Sequence, residues 1–180
     1  IDQGLTNIKF IANKNAIVIA GLDIGKVRHP SHLSIFLYSD GLIIQIYQLF
    51  MDNWDYTRQV DHINNLLEPL KIKRIYYDDT RSEFESFAEQ GIIYRGIWKP
   101  VKFTHTEKFK LSANFSKIVS NGVLRLQNNQ RMIRSILSVN NNLDALSTTE
   151  GHGDAFWSIC MALNHRILGP IAVAGGHKIE

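Results

Sequence analysis

The chain has 180 residues, 44% hydrophobic and 21% charged, with a net charge of +3. That size suits one domain with a proper core and leaves little room for two, and the ordinary globular composition excludes a low-complexity chain. The charge is too small to identify a partner class; the single cysteine, Cys160, excludes an internal disulfide and fits a reducing compartment, and neither a signal peptide nor a membrane-spanning apolar run is present. The first residue is Ile1 rather than Met, which reads as the start of a piece processed or excised from a longer polypeptide.

Residues 1–15 show no clear period and read as a lead-in. Ile17 to Asp23 is an apolar, β-branched run that ends abruptly in a carboxylate and Gly25, the pattern of a strand buried on both faces. Open α/β sheets place ligands at such carboxyl ends, although an Asp there also opens a turn. A polar loop follows to Ser31, then two apolar runs, Leu33 to Tyr38 and Leu42 to Leu49, flank Ser39-Asp40-Gly41. Asp-Gly between apolar runs is a hairpin signal, so three sequential antiparallel strands are expected, with the first at the centre.

Asp55 to Leu67 carries apolar residues at helical spacing (Tyr56, Val60, Ile63, Leu67) and stops before Pro69. Ile72 to Asp79 is a fourth strand, again finishing in carboxylates. A helix between strands makes a crossover, which favours parallel pairing of strand four with strand one. Ser82 to Gln90 reads as a short helix and Ile92 to Trp98 as a fifth strand. Thr104 begins a long helix to about Val119, with Thr106 as its cap and Gly122 as its stop. Val123 to Leu126 has the pattern of a short strand, and Asn129 to Leu137 that of a helix. Asn140 to Gly153 is a polar, glycine-ended loop. Asp154 opens a last helix whose apolar stripe is Phe156, Ile159, Cys160, Leu163 and Ile167, stopped by Gly169-Pro170. The domain therefore spans 16–169, and 170–180 is a tail.

Three acids stand at element ends: Asp23 and Asp78 after strands, and Asp154 before a helix. Each alone has a structural explanation, Asp154 as an N-cap and Asp79 as a solvated turn residue. Together, a central strand, its parallel neighbour and a helix on that sheet bring all three carboxylates to one cleft. Clustered carboxylates repel unless a cation lies between them, and oxygen-only ligands suit Mg²⁺ or Mn²⁺ better than zinc. Two such ions about 3.5–4 Å apart bind both sides of a phosphodiester. The expected chemistry is metal-dependent hydrolysis of nucleic acid.

The same stretches carry a family resemblance. Gly21-Leu22-Asp23-Ile24-Gly25, followed by Pro30-Ser31 and a hairpin, resembles the opening of the nuclease domain of phage terminase large subunits. Ile75-Tyr76-Tyr77-Asp78 is similar to that family's second acidic strand, and Gly151-His152-Gly153-Asp154-Ala155-Phe156-Trp157 to its third acidic motif. Phe103-Thr104 through Lys108 and on to Gly122-Val123-Leu124 is similar to the stretch between them, so the likeness runs from about residue 17 to 168. The resemblance implies an RNase H-like α/β fold, here a mixed five-stranded sheet flanked by helices. It also implies a Mg²⁺- or Mn²⁺-dependent endonuclease that cuts concatemeric double-stranded viral DNA in the cytoplasm of an infected bacterial host. The implied partners are an ATPase domain earlier in the same polypeptide, a small terminase subunit and the portal protein, with no membrane. The second acid is a doublet, Asp78-Asp79, and Asp78 is favoured as the ligand because the family's acid directly follows the apolar strand residues.

His152, two residues before Asp154, is a candidate metal ligand or water-orienting group, with a plain loop residue as the alternative. Lys108 is a candidate phosphate contact. From Arg95 to Arg134 nine Lys or Arg face one acid, Glu107. That bias fits a DNA-backbone footprint including Lys102, Lys110, Arg125 and Arg131, or else a solvated basic face. Trp54, Trp98 and Trp157 lack the spacing of a base-stacking platform and are read as core, and the remaining histidines carry no signal. Competing readings are another RNase H-like nuclease of the junction-resolvase or integrase type, and a catalytically dead DNA-binding relic. A fragment of an actin-like ATPase also shares the first glycine-Asp loop. The latter needs a second glycine-rich phosphate loop, which this chain lacks, and Gly21 to Lys26 departs from a P-loop because Val27 replaces the Ser or Thr.

Overall fold

The computed structural model describes residues 16–25, 29–140, 142–145 and 153–165. Its strands are β1 (Ile17–Asp23), β2 (Ser31–Ser39), β3 (Leu42–Met51), β4 (Ile72–Asp78), β5 (Trp98–Val101) and β6 (Leu124–Arg125). Its helices are α1 (Tyr56–Leu67), α2 (Glu85–Glu89), α3 (His105–Ser120), α4 (Gln130–Leu137) and α5 (Asp154–Leu163). The strands form one sheet of six in the order β5-β4-β1-β2-β3-β6. β1 is antiparallel to β2 and β2 to β3, whereas β4 is parallel to β1 and β5 to β4. The hairpin at Asp40-Gly41 has both residues at positive φ, as a tight primed turn requires.

The sheet has six strands rather than five, because Leu124–Arg125 joins the free edge of β3 in parallel. The fifth strand is also shifted. Residues 92–97 form turns, with Ile97 N–H donating back to the Tyr94 carbonyl at 2.9 Å, and Ile93 fills the core as a side chain. Ladder pairing begins only at Trp98, opposite Ile75. The cap of α3 is Thr104, whose hydroxyl accepts from Glu107 N–H, and not Thr106. Asp55 caps α1 and Asn129 caps α4 in the same way. Asp154 is the first residue of α5 and Gly153 its cap. Ile167, Gly169, Pro170, the lead-in and the tail lie outside the described residues.

The two faces of the sheet bury different cores. Val18, Ala20 and Leu22 of β1 join Ile75, Tyr77 and Trp98 and the α1 residues Val60, Ile63 and Leu66. The opposite face of β1, represented by Ile19, packs on Ala155, Ile159 and Ala162 of α5. Gly21 continues that face. A Cβ there would lie 1.9 Å from the Ser158 carbonyl oxygen and 2.6 Å from Ala162 N, so only glycine lets α5 approach this closely. Every residue of α5 is buried, between the sheet and the covering helices α3 and α4. Apart from Asp154 and Ser158 its residues are apolar on every side rather than in one stripe. Among the described residues no helix is long and apolar enough to cross a membrane.

Candidate active site

Strand alternation decides which acids meet. Gly21 faces α5, so Asp23, two residues on, faces it as well. In the parallel β1–β4 ladder Gly21 pairs with Tyr76 and Leu22 with Tyr77. The next step sets Asp23 beside Asp78, on one face at the carboxyl end of both strands. Tyr76 packs with α5 residues and Tyr77 with the α1 core, so Asp78 shares the α5 face and Asp79 the opposite one.

Asp154 arrives by a different route. α5 runs back along β1, with Ser158 and Ala162 over Gly21 and the Ala162 carbonyl 2.8 Å from the Tyr38 hydroxyl. Its amino end therefore lies at the carboxyl end of β1. Gly153 makes the turn into the helix at φ +79°, wedged against Val139 and Ala145, which form an isolated bridge. The positive end of the α5 dipole also favours carboxylates at this place.

Asp23 is 8% exposed and Asp154 6%. Burial pushes the Asp23 carboxyl well above the usual carboxylate range; the charges of Asp154 and then Asp78 raise it further, and Lys108 opposes them. Four groups from β1, β4, α3 and α5 thus share one electrostatic neighbourhood. As the side chains stand, no three His, Cys, Asp or Glu among the described residues close on a single point. The physical reason is visible at Asp78: its Oδ1 accepts from Thr80 N–H at 2.9 Å and from the Thr80 hydroxyl, which turns it toward its own loop. Mutual repulsion favours that orientation when no cation is between the acids.

Asp79 is 5% exposed, and its Oδ1 has no hydrogen-bond partner among the described residues. Burial raises its carboxyl above the usual range, with Glu85 and Glu83 adding to the effect and Lys102 opposing it. It belongs to a separate acidic surrounding, on the side of the sheet away from Asp23.

The basic residues are also divided. Lys108 Nζ lies 5.2 Å above the Trp157 ring and 5.6 Å from Phe103, and its charge bears on Asp23. Lys102 is on the Asp79 side. Lys110 faces Glu107 at 3.6 Å. Arg125 donates to the carbonyls of Gly122 and Leu124 at the β6 edge. Arg131 makes a two-pronged contact with Asp52, both at 2.6 Å, and lies 4.0 Å over Phe50. His152 lies outside the described residues. Trp98 and Trp157 are core residues as expected, and Trp54 is half-buried under the Arg58 guanidinium at 4.0 Å.

Sequence reading passed over Thr80, which holds Asp78, and His32, the ladder partner of Asp23. Thr80 had a signal, since Asp-x-Thr is a turn pattern in which the carboxylate accepts from the residue two on. His32 had none.

The sheet order and the helix crossing β1 make this chain's fold RNase H-like. Its fold is that of phage large-terminase nuclease domains. The chain is similar to the large terminase nuclease from thermophilic phage G20c, with 17% identity and a TM-score of 0.66 over 83% of this chain and 82% of that one. It is similar to the nuclease domain of g2p, the large terminase of bacteriophage SPP1, solved with bound Mn, at 16% identity and a TM-score of 0.54 over 81% and 84%. With the HK97 bacteriophage large terminase it shares 13% identity and a TM-score of 0.66 over 84% of this chain but 40% of that one. No protein-family model matches the sequence, and no curated protein sequence matches it.

Proposed function

We propose that this chain is the nuclease domain of a viral DNA-packaging terminase large subunit, a metal-dependent endodeoxyribonuclease that cuts concatemeric double-stranded DNA. The observation that carries the reading is the sharing of one neighbourhood by Asp23, Asp78 and Asp154, with buried Asp23 repelled by the other two. An oxygen-only donor set of this kind fits a hard divalent cation, Mg²⁺ or Mn²⁺. The three carboxylates are the proposed ligands, Asp78 rather than Asp79 because only Asp78 shares the face of Asp23. When bound, a pair of such ions supplies an activated water and charge neutralisation at the leaving oxygen.

The chain's own residues then have separable tasks. Asp23, rigid in the central strand, anchors the site. Asp78 gives up its Thr80 contacts to join it, which sets a local cost for assembly. Lys108, fixed over Trp157, offers its ammonium to the phosphate. An ATPase domain in the same polypeptide, a small terminase subunit and a portal are the proposed partners, acting inside the infected host cell. The shared fold with 40% of the HK97 protein supports a further domain beyond the one described.

The test is plasmid nicking with Mn²⁺ or Mg²⁺. Asp23→Asn, Asp78→Asn and Asp154→Asn are each expected to lose activity by at least about a hundredfold while keeping the folded circular-dichroism spectrum; Asp79→Asn is expected to retain most of it. Full activity in any of the first three removes that residue from the site, and loss in Asp79→Asn alone exchanges the second ligand.

A further inference from the structure

A chain of buried polar side chains runs beneath the cleft. His32, fully buried on β2 as the ladder partner of Asp23, has Nδ1 2.7 Å from Ser158 Oγ and Nε2 3.1 Å from Gln48 Oε1. Ser158 lies one turn after Asp154 on α5. Its Oγ is 3.2 Å from Ser34 Oγ, which accepts from Gln45 Nε2 at 3.2 Å. Gln45 Oε1 in turn accepts from Gln127 backbone N–H at 3.1 Å.

The direction of this chain follows from its first link. A backbone N–H can only donate, so Gln45 presents Oε1 to residue 127 and its amide protons to Ser34. The Ser34 proton is then left for Ser158 Oγ at 3.2 Å or His32 Nδ1 at 3.5 Å. The Ser158 proton goes to His32 Nδ1, a shorter link than the 3.0 Å to the Ala155 carbonyl. His32 keeps its proton on Nε2 and donates to Gln48. With Nδ1 accepting and Nε2 donating, the ring is neutral. Burial agrees, since it pushes His32 down to about 4.

Stability alone does not explain such a chain. Apolar side chains of similar volume would hold these elements at least as well, because buried polar groups recover only what desolvation removed. Hydrogen bonds add direction. The Gly21 contact sets how closely α5 lies on the sheet, and the Tyr38 hydroxyl holds its far end at the Ala162 carbonyl; the His32–Ser158 bond is the side-chain tie to β2 at the turn that follows Asp154. We propose that His32 is a positioning residue, tying α5 to β2 and β3 through Ser158 and Gln48 and so holding the Asp154 carboxylate in reach of Asp23. This rests on the reading of the carboxylates as cation ligands.

The experiment uses Mn²⁺ as the probe and the melting temperature as a readout beside nicking. His32→Phe keeps the ring against Phe50 and removes both hydrogen bonds; His32→Gln can restore one. Wild type is expected to melt higher with Mn²⁺, and Asp23→Asn to lose that shift; if wild type shows none, the cation reading itself fails. Given the wild-type response, His32→Phe is expected to raise the Mn²⁺ midpoint for both readouts about tenfold and to lower kcat with KM for DNA within about twofold. His32→Gln is expected to recover part of both. Ser158→Ala, which removes only a hydroxyl, is expected to raise the midpoint about threefold and serves if His32→Phe does not fold. A folded His32→Phe or Ser158→Ala with the wild-type Mn²⁺ midpoint and kcat, whatever its metal-free stability, overturns the proposal.

Discussion

Asp23 loses its water on folding and faces two other carboxylates, so burial first and those charges next raise its carboxyl well above the ordinary value. The unfolded chain ionises it near the ordinary value of 3.8. Above that pH the folded state binds more protons than the unfolded one, so this group's contribution to stability is lost as pH rises through the raised folded value. Asp23→Asn removes the effect. In chelator, the variant is expected to melt about 3 °C or more above wild type at pH 7, with the difference closing toward pH 4. Melting curves across pH check this; a variant that melts lower throughout contradicts it. His32 has the opposite sign. Its folded value falls from 6.5 to about 4, so its contribution is present above pH 6.5 and is lost as pH falls toward 4. At about 1.4 kcal/mol per unit the loss reaches about 3 kcal/mol. His32→Gln is expected to flatten that acid limb of the melting profile, and an unchanged limb would assign it to another group. The three acids were legible because each ends or opens an element, which a linear reading can find. Which of Asp78 and Asp79 shares the face of Asp23 depends on which strand face α5 covers, and that is not written in the linear order. His32 was illegible because its partner Ser158 is 126 residues away.

At the scale of elements, the close approach of α5 to β1 governs the site. Gly21→Ala places a methyl inside the van der Waals envelope of the Ser158 carbonyl, and neither the strand nor the helix backbone has room to yield. The expected cost is about 3 kcal/mol, with activity falling further than stability because Asp154 moves with the helix. Urea unfolding and nicking measured together check it; a stable, fully active variant would show that the helix can shift without harm. The elements were largely predicted where hydrophobic period, caps and turn residues agree, as at Asp55, Asp40-Gly41 and Asn129. The reading failed at residues 92–97, where turns after Gly91 send Ile93 into the core and lean Ile97 against it while Ile92 and Tyr94 stay exposed. A two-residue period cannot be told from two isolated plugs over so short a stretch.

For the whole molecule, the run of basic residues in the sequence is not one face. Lys108 stands at the carboxylates, whereas Arg131 is held by Asp52 and Phe50 at the end of β3. DNA affinity is therefore expected to fall several-fold in Lys108→Ala and to stay within about twofold in Arg131→Ala, which instead loses about 1 kcal/mol or less of stability. Binding titrations at low and moderate salt check both, and the reverse ranking would move the DNA path to the β6 edge. The small net charge of +3 concealed this division, since it reports a total and not a placement. Catalysis as proposed requires a cation held jointly by Asp23, Asp78 and Asp154. Anomalous diffraction from crystals soaked in Mn²⁺ measures it directly. The predicted result is a peak between Asp23 and Asp154, with Asp78 turned away from Thr80 to reach it. A peak only beside Asp79, Glu83 and Glu85, with the Asp23 cleft empty, would contradict it.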